Sequence, residues 1–289
     1  MGNKFFEYHK NLLGDKFVLL EGWMEKPQRK SLRVNVIRGQ IKEMIKELED
    51  MGGNPRPIPW CKEGFWISNK PWGATIPHQL GYFYLQEATS MAPAAILDAK
   101  KDDIVLDIAA APGSKTTQIA PYCDTIIANE PDRNRRTILF SNINRCGITN
   151  AITTGFDGRV FPNGGFNKIL VDVPCTEVGA IKKDKSMLKS WSINWVKQKS
   201  ALQKDLLKKA FRLLGPSGEL VYSTCTSTIE ENEEVILALL DEYPQAEIRK
   251  ISSQLQGRPG MLPGTEKCLR VHPWDNQTEF FFISKIKNG

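Results

Sequence analysis

No stretch of this chain approaches the run of about 18 apolar residues that a membrane-spanning helix needs. No charged-then-apolar segment opens it in the manner of a secretory signal. Its Met1-Gly2 start lacks the Ser or Thr of a myristoylation signal, because Phe6 stands in that place. Repeats and low-complexity tracts are missing too. Histidine is scarce: His9, His78 and His272 are the whole complement. Without metal-ligand spacing they read as structural or surface residues, and no metal is expected. On these absences a soluble, cytoplasmic protein is expected. The six cysteines are then expected to be reduced rather than bridged. A formal charge of +6 and a pI near 8.9 is a modest excess of base, compatible with a polyanionic partner.

What is present organises into two units, expected over residues 1–80 and 81–289. In the first, residues 31–36 (SLRVNV) alternate like a half-buried strand. Residues 40–51 carry helical apolar spacing at Ile41, Met44, Ile45 and Leu48, closed by Gly52-Gly53. Short strands follow near 56–60 and 64–68, giving a compact α+β module. Residues 81–97 (GYFYLQEATSMAPAAIL) then read as one helix leading into the second unit. From Asp103 onward strands and helices alternate as a mostly parallel, doubly wound α/β sheet requires. Strands are expected at 104–108, 125–129, 151–154, 167–172, 219–223 and 279–285. The helices between them are expected at 116–122, 133–145, 194–214 and 230–242.

Two of the strand segments end in chemistry. KILVDVPC (residues 168–175) and ELVYSTCT (219–226) are apolar strands that stop at thiols. Burial explains Ile169, Leu170 and Val171, but not Asp172 and Cys175 at the mouth. In open α/β sheets the ligand crevice lies outside the carboxyl ends of the strands, so Cys175, Cys225 and Asp172 are expected in one crevice. The stretch LDIAAAPGSKTT (106–117) is a strand, an acid, a small-residue turn and a helix start. Such a turn lets a ligand approach the backbone at a positive helix end. It is not a P-loop, since Ser114 separates Gly113 from Lys115, and it contains no G-x-G-x-x-G. Glu130 ends the next strand where a ribose diol would be gripped. Asp157, after the third strand, is placed to accept from an adenine amino group. An adenosine ligand without a long phosphate chain fits, best S-adenosyl-L-methionine.

The segments LDIAAAPGSKT, ANEPDRNR, DVPCTEVGAI and VYSTCT resemble the RNA 5-methylcytosine methyltransferase family related to the Nop2/Sun proteins. RVN (33–35), YLQEATSM (84–91) and HPWDNQTEFFFISK (272–285) extend the likeness from about residue 30 onward, in the same order. The resemblance implies a Rossmann-like methyltransferase domain preceded by a small RRM-like module. It implies methyl transfer from S-adenosylmethionine to cytosine C5. Cytosine C5 is a poor nucleophile, and a thiolate adding to C6 makes it an enamine carbon. An acid at N3 eases that addition. The family pattern assigns the nucleophile to Cys225, the N3 contact to Asp172, and assistance in product release to Cys175. DNA cytosine-5 enzymes use the Pro-Cys thiol instead and lack the other; the presence of both favours the RNA assignment. The family's cofactor positions fall on Ala110, Pro112, Gly113, Lys115, Glu130 and Arg135, with Asp157 for the base and Asp172 close by. The substrate is expected to be RNA, tRNA ahead of rRNA because the chain lacks the long extra domains of larger rRNA members, and the protein is expected to act as a monomer. Other outcomes are a methyltransferase acting on DNA or another base, or an RNA-binding assembly factor with a relic pocket.

Some residues depart from the pattern. Thr176-Glu177 stands where Ser-Gly or Thr-Gly is usual, Phe280 where a Gly precedes the last aromatic pair, and Glu130 where Asp is commoner. Cys61, Cys123, Cys146 and Cys268 read as small core hydrophobes. Lys182, Lys183, Lys185 and Lys189, with Trp191, read as a solvated loop, one that follows Cys175 closely enough to reach phosphate. Arg133, Arg136 and the lysines of residues 197–209 read as solvated helix positions, and the first module reads either as purely structural or as positioning RNA through Arg33 and Asn35.

Overall fold

The computed structural model describes residues 3–182 and 185–289. Two helices open it, α1 (Lys4–Leu13) and α2 (Phe17–Glu25), neither anticipated from the sequence. The Asn3 side chain caps α1 by accepting from the Phe5 N–H at 3.0 Å. Their inward stripe, Phe5, Leu13, Leu20 and Trp23, packs on Val178, Ile181, Trp191, Val196 and Phe280. The opening helices are therefore covered by segments from the far half of the chain.

A four-stranded sheet follows, built from β1 (Lys30–Val34), β2 (Arg56–Ile58), β3 (Cys61–Ile67) and β4 (Phe83–Leu85) in the order β2-β3-β1-β4. All its pairings are antiparallel. Helix α3 (Ile41–Asp50) lies between β1 and β2, and the four-residue α4 (Ile76–Gln79) between β3 and β4. The chain order is that of a β-α-β-β-α-β unit with a shortened second helix. Leu32, Val34, Phe65, Ile67 and Phe83 alternate onto one face, against Met44 and Leu48 of α3. The single helix expected over residues 81–97 is not formed. Phe83 and Leu85 have the period of a strand and pair with Val34 and Leu32, so the first sheet extends past residue 80. Only α5 (Ala92–Leu97) is α-helical, after a 3-10 turn over Thr89–Met91, with Pro93 in its first turn, where a missing N–H is tolerated.

The second sheet is formed by β5 (Ile104–Asp107), β6 (Thr125–Asn129), β7 (Ala151–Thr154), β8 (Phe166–Asp172), β9 (Leu214–Thr224), β10 (Ala246–Arg249), β11 (Leu269–Val271) and β12 (Phe281–Asn288). Its order is β10-β12-β9-β8-β5-β6-β7, with β11 beside β12. The five strands from β9 to β7 are parallel, and β12 and β10 add antiparallel. Helices α6 (Ser114–Ile119), α7 (Arg133–Cys146), α8 (Met187–Ser190), α9 (Ile193–Leu213), α10 (Glu233–Glu242) and α11 (Pro273–Asn276) complete the fold. Successive strand residues serve opposite faces. Val105, Ile126, Leu170 and Val221 face Leu97, Ile119, Leu139 and Ile143. Leu106, Ile169, Val171 and Leu220 face Leu206, Leu207 and Ala210 of α9. Each such fully buried aliphatic side chain contributes about 1.5–3 kcal/mol. This is the expected Rossmann-like, mostly parallel sheet. The strands β10 and β11 were not anticipated, and α10 begins at Glu233, three residues later than its periodicity suggests.

The two sheets meet through Arg33 and Asn35, for which the sequence leaves a structural role and RNA positioning open. Arg33 and Asn35 are buried. The Arg33 guanidinium donates to Gln86 Oε1 at 3.0 Å, Ser114 O at 3.1 Å and Thr117 Oγ1 at 2.9 Å. Asn35 Nδ2 donates to Gly81 O at 2.8 Å and Cys146 O at 2.7 Å. A guanidinium is buried only where acceptors converge, and here Ser114 and Thr117 of α6 join Gln86 in supplying them. These residues join the first module to the large sheet. Gly81, at φ +77°, lies so close that a Cβ would sit 1.9 Å from the Arg145 carbonyl oxygen. Among the described residues no helix is long and apolar enough to cross a membrane.

Candidate active site

Strands β8 and β9 are parallel neighbours in a register that sets Asp172 opposite Ser223, so their exits lie side by side. This brings the Cys175 and Cys225 sulfurs to 3.3 Å, with Cys175 buried and Cys225 half-buried. Asp172 Oδ1 accepts from Ser223 Oγ at 2.6 Å, and Oδ2 from Lys115 Nζ at 2.7 Å. Lys115 also donates to Ser90 Oγ at 2.9 Å. Burial works against the Lys115 ammonium, but the charge and hydrogen bond of Asp172 outweigh it and hold its pKa above the usual value. The Cys225 thiol is held well above the ordinary range by its hydrogen bond to Cys175, by burial, and by the carboxylates of Asp172 and Glu177. Acid, base and both thiols thus form one cluster, in which Ser90 and Ser223 are partners that sequence reasoning did not single out.

The turn between β5 and α6 borders this cluster. Gly113, at φ +102°, forms the N-cap of α6, and a Cβ there would approach Leu139 Cδ1 to 3.0 Å. Ala110 is buried, and its N–H donates to Asn129 O at 2.8 Å. The Pro112 carbonyl accepts from Asn142 at 2.9 Å. At the exit of β6, buried Glu130 accepts from the Asp132 N–H at 3.0 Å and faces Arg135 at 3.4 Å. Arg135 donates to the Ala111 carbonyl at 3.0 Å, closing the turn from above. Arg136, read as solvated, is half-buried and holds the Glu130 carbonyl at 2.7 Å. Asp157 follows β7, but both of its carboxylate oxygens accept from Arg159 of its own loop. Those bonds hold its carboxyl below the usual range. An adenine amino group would have to share that acceptor.

Asp107, at the end of β5, is almost fully buried. Its Oδ2 accepts from Thr116 Oγ1 at 2.7 Å, and its Oδ1 has no partner. Burial raises its pKa to about 7, with Asp172 adding to the rise and the Thr116 hydrogen bond opposing it. An orphaned buried acceptor next to a glycine turn fits a ligand that carries an N–H donor or a cation. The cradle therefore suits S-adenosylmethionine, which has an ammonium, a ribose diol and no phosphate. Ala110, Pro112, Gly113, Lys115, Glu130, Arg135 and Asp107 are the residues that would hold it.

The loops around the thiols are braced by the opening helices. His9 Nδ1 lies 2.8 Å from the Phe5 carbonyl, which can only accept, so Nδ1 carries the proton and Nε2 accepts from Ser227 Oγ at 2.6 Å. Tyr8 donates to Glu230 at 2.6 Å. Phe280, replacing a smaller residue of the family pattern, stacks among His9, Trp23, His272 and Trp274. Of the basic run, Lys182 covers the Trp23 ring at 4.1 Å, Lys185 and Lys189 are exposed, Trp191 is core, and Lys183 lies outside the described residues. Cys61, Cys123, Cys146 and Cys268 are buried and free. Burial pushes the thiols of Cys61 and Cys268 up to about 12. A cleft of about 770 Å³ elsewhere, bordered by Trp60, Glu63, Lys100 and Tyr122, contains none of these site residues.

Residues 94–287 match the family model described as 16S rRNA methyltransferase RsmB/F, and residues 1–88 match that of the N-terminal domain of 16S rRNA methyltransferase RsmF. The chain belongs to the RsmB/F methyltransferase family. Ribosomal RNA small subunit methyltransferase F of Klebsiella pneumoniae (strain 342) is 42% identical over 277 residues, covering 91% of this chain and 58% of that protein. Its namesake in Vibrio parahaemolyticus serotype O3:K6 is 40% identical over 278 residues, with the same coverage. The chain thus spans 58% of the length of these curated relatives. A crystal structure of a methyltransferase homolog protein from Pyrococcus horikoshii superposes with a TM-score of 0.85 at 33% identity, covering 96% of this chain and 92% of that one. NSun6 from the same organism shares the fold, with a TM-score of 0.89 at 24% identity. For an RsmB/F family member, the expectation of tRNA ahead of rRNA is not supported. It rested on the absence of extra domains, whereas the matched family and relatives are named for ribosomal RNA.

Proposed function

We propose that this RsmB/F family member methylates cytosine C5 in small-subunit ribosomal RNA, taking the methyl group from S-adenosylmethionine. The observation that carries the reading is the pair of thiols at 3.3 Å beside an Asp172 already held by Lys115 and Ser223. The cofactor supplies an electrophilic methyl group. Cys225, at the more open end of the pair, adds as thiolate to C6 of the ring, its proton passing by way of Asp172 to N3. The electron pair displaced from the C5–C6 bond makes C5 the nucleophile, while Asp172 holds N3 and Lys115 places positive charge where the ring gains negative charge. Once C5 carries the methyl group, the C5 proton passes to Cys175, which gives its own to the Cys225 sulfur it touches. In the same step the double bond re-forms and expels that sulfur, while N3 returns its proton through Asp172 to solvent. The target base must leave its stack to reach the cluster. The names of the family and its relatives support ribosomal RNA over tRNA, and we propose the RRM-like reading of the first sheet on its strand order alone.

The test is transfer of labelled methyl groups to 16S rRNA transcripts, assembled small subunits and tRNA, with nucleoside analysis of the digests. Label in 5-methylcytidine of ribosomal RNA is expected. Label confined to tRNA would overturn the substrate, and label in another nucleoside would overturn the thiol chemistry. Cys225→Ala should abolish transfer while leaving cofactor affinity within about twofold, and Cys175→Ala should accumulate a protein–RNA adduct that survives denaturing gels. Turnover by Cys225→Ala would remove that residue from the nucleophile's role.

A further inference from the structure

Glu231 and Asn232 have no role in the chemistry proposed above. The sequence places them inside a helix, yet α10 begins only at Glu233, and both side chains are fully buried. Their hydrogen bonds converge on the residues flanking the two thiols. Glu231 Oε1 accepts from the Thr176 N–H at 2.9 Å and from Gln203 Nε2 at 3.0 Å. Its Oε2 accepts from Thr176 Oγ1 at 2.6 Å and Thr228 Oγ1 at 2.8 Å. Thr176 directly follows Cys175, and Gln203 also donates to the carbonyl of Pro174, directly before it, at 3.0 Å. Asn232 brackets the other thiol. Its Oδ1 accepts from Thr224 Oγ1 at 2.5 Å, and its Nδ2 donates to the Thr226 carbonyl at 3.1 Å. The two following residues are also joined, Thr176 Oγ1 to Thr226 Oγ1, at 3.0 Å.

Among the described residues no ion pair with a cation is formed by Glu231. A buried carboxylate without a counter-charge is tolerated only where donors saturate it, and four do so here. An apolar side chain would fill the same space, but it offers no acceptor directions with which to fix Thr176.

We propose that Glu231 and Asn232 are positioning residues that clamp the Cys175 and Cys225 loops together and so keep the two sulfurs within proton-sharing distance. The clamp matters to catalysis through the two-thiol reaction proposed above and rests on that reading for its purpose. It predicts coupled titration of the thiols, which is measurable without RNA. The experiment follows iodoacetamide alkylation of Cys175 and Cys225 separately, by peptide mass spectrometry across pH, in the full chain and in Glu231→Gln, Glu231→Ala and Asn232→Ser.

Separating the sulfurs removes the hydrogen bond that raises Cys225, so its alkylation profile should move to lower pH by about one unit in Glu231→Ala and Asn232→Ser. Glu231→Gln, which keeps shape and one acceptor, should restore most of the profile. Affinity for S-adenosylmethionine should stay within about twofold, and methyl transfer should lose at least about tenfold in kcat at unchanged KM for the cofactor. Should Glu231→Ala fail to fold, Asn232→Ser still decides the matter. Unchanged profiles for both cysteines in folded Glu231→Ala or Asn232→Ser would overturn the clamp. Shifted profiles in a protein that forms no 5-methylcytidine would instead uphold the clamp and reject the proposed reaction.

Discussion

Glu177 occupies the left-handed backbone region, at φ +51°, two residues after Cys175, where the family pattern places glycine. Its N–H lies 3.4 Å from the Cys175 sulfur, so the turn is held in this conformation although a side chain strains it. A non-glycine residue there carries about 1–2 kcal/mol of strain, and glycine adds about 0.5–1 kcal/mol of unfolded-state entropy. Glu177→Gly should therefore stabilise the protein by up to about 1 kcal/mol in urea unfolding. It should also move Cys225 alkylation to lower pH, because one of the carboxylates that raise that thiol is gone. A drop in stability would show that the side chain has a contact outweighing the strain. Asp107 gives a second residue-level test. With its pKa raised to about 7 by burial, it must lose its proton before it can hold a cation. Cofactor binding should weaken up to about tenfold per pH unit below 7, and Asp107→Asn should abolish that dependence. Its effect on folding has the opposite sense. A raised carboxyl contributes stability below its unfolded value, and that contribution is lost as pH rises toward 7.

Arg33 shows how one element fixes the position of another. It leaves β1 and binds the first turns of α6, through Ser114 and Thr117. That is the helix whose N-terminus forms the proposed cofactor turn. Arg33→Met would leave Gln86 Oε1 without its donor in a buried site, at about 1–3 kcal/mol, while Ser114 O and Thr117 Oγ1 keep each other. The expected result is a loss of about 1–3 kcal/mol in chemical denaturation together with weaker cofactor binding, read by calorimetry. A stable variant with unchanged affinity would mean that the first sheet does not hold the turn in place. Pairing of β8 with β9 is the other decisive element contact, since a one-residue slip would turn Asp172 away from Ser223.

Across the whole molecule, the readable parts were those with a strong local period or a chemical oddity. The central strands are unbroken apolar runs, and all five parallel ones were found within two residues at the exits that carry Asp107, Glu130, Asp172 and Cys225. The crevice followed from the strand ends. The opening helices escaped notice because their partners, Trp191 and Phe280, lie far along the chain. Residues 81–97 misled because Ala92–Leu97 is a true helix, and its pattern was extended backward over a strand. Glu231 and Asn232 were hidden inside an apparent helix, and nothing in one sequence tells a solvated Glu from a buried clamp. The distance between contacts has a further effect, felt during synthesis. Trp23 donates to the carbonyl of Thr278, 255 residues away, and Tyr8 reaches Glu230 across 222. A ribosome that has released the opening helices must therefore make nearly the whole described chain before their partners exist. Contacts of such high order form late, so the α1 and α2 segments, too short to hold as isolated helices, go without their far partners through most of translation. The brace on the Cys225 loop is among the last parts of the nascent protein to assemble.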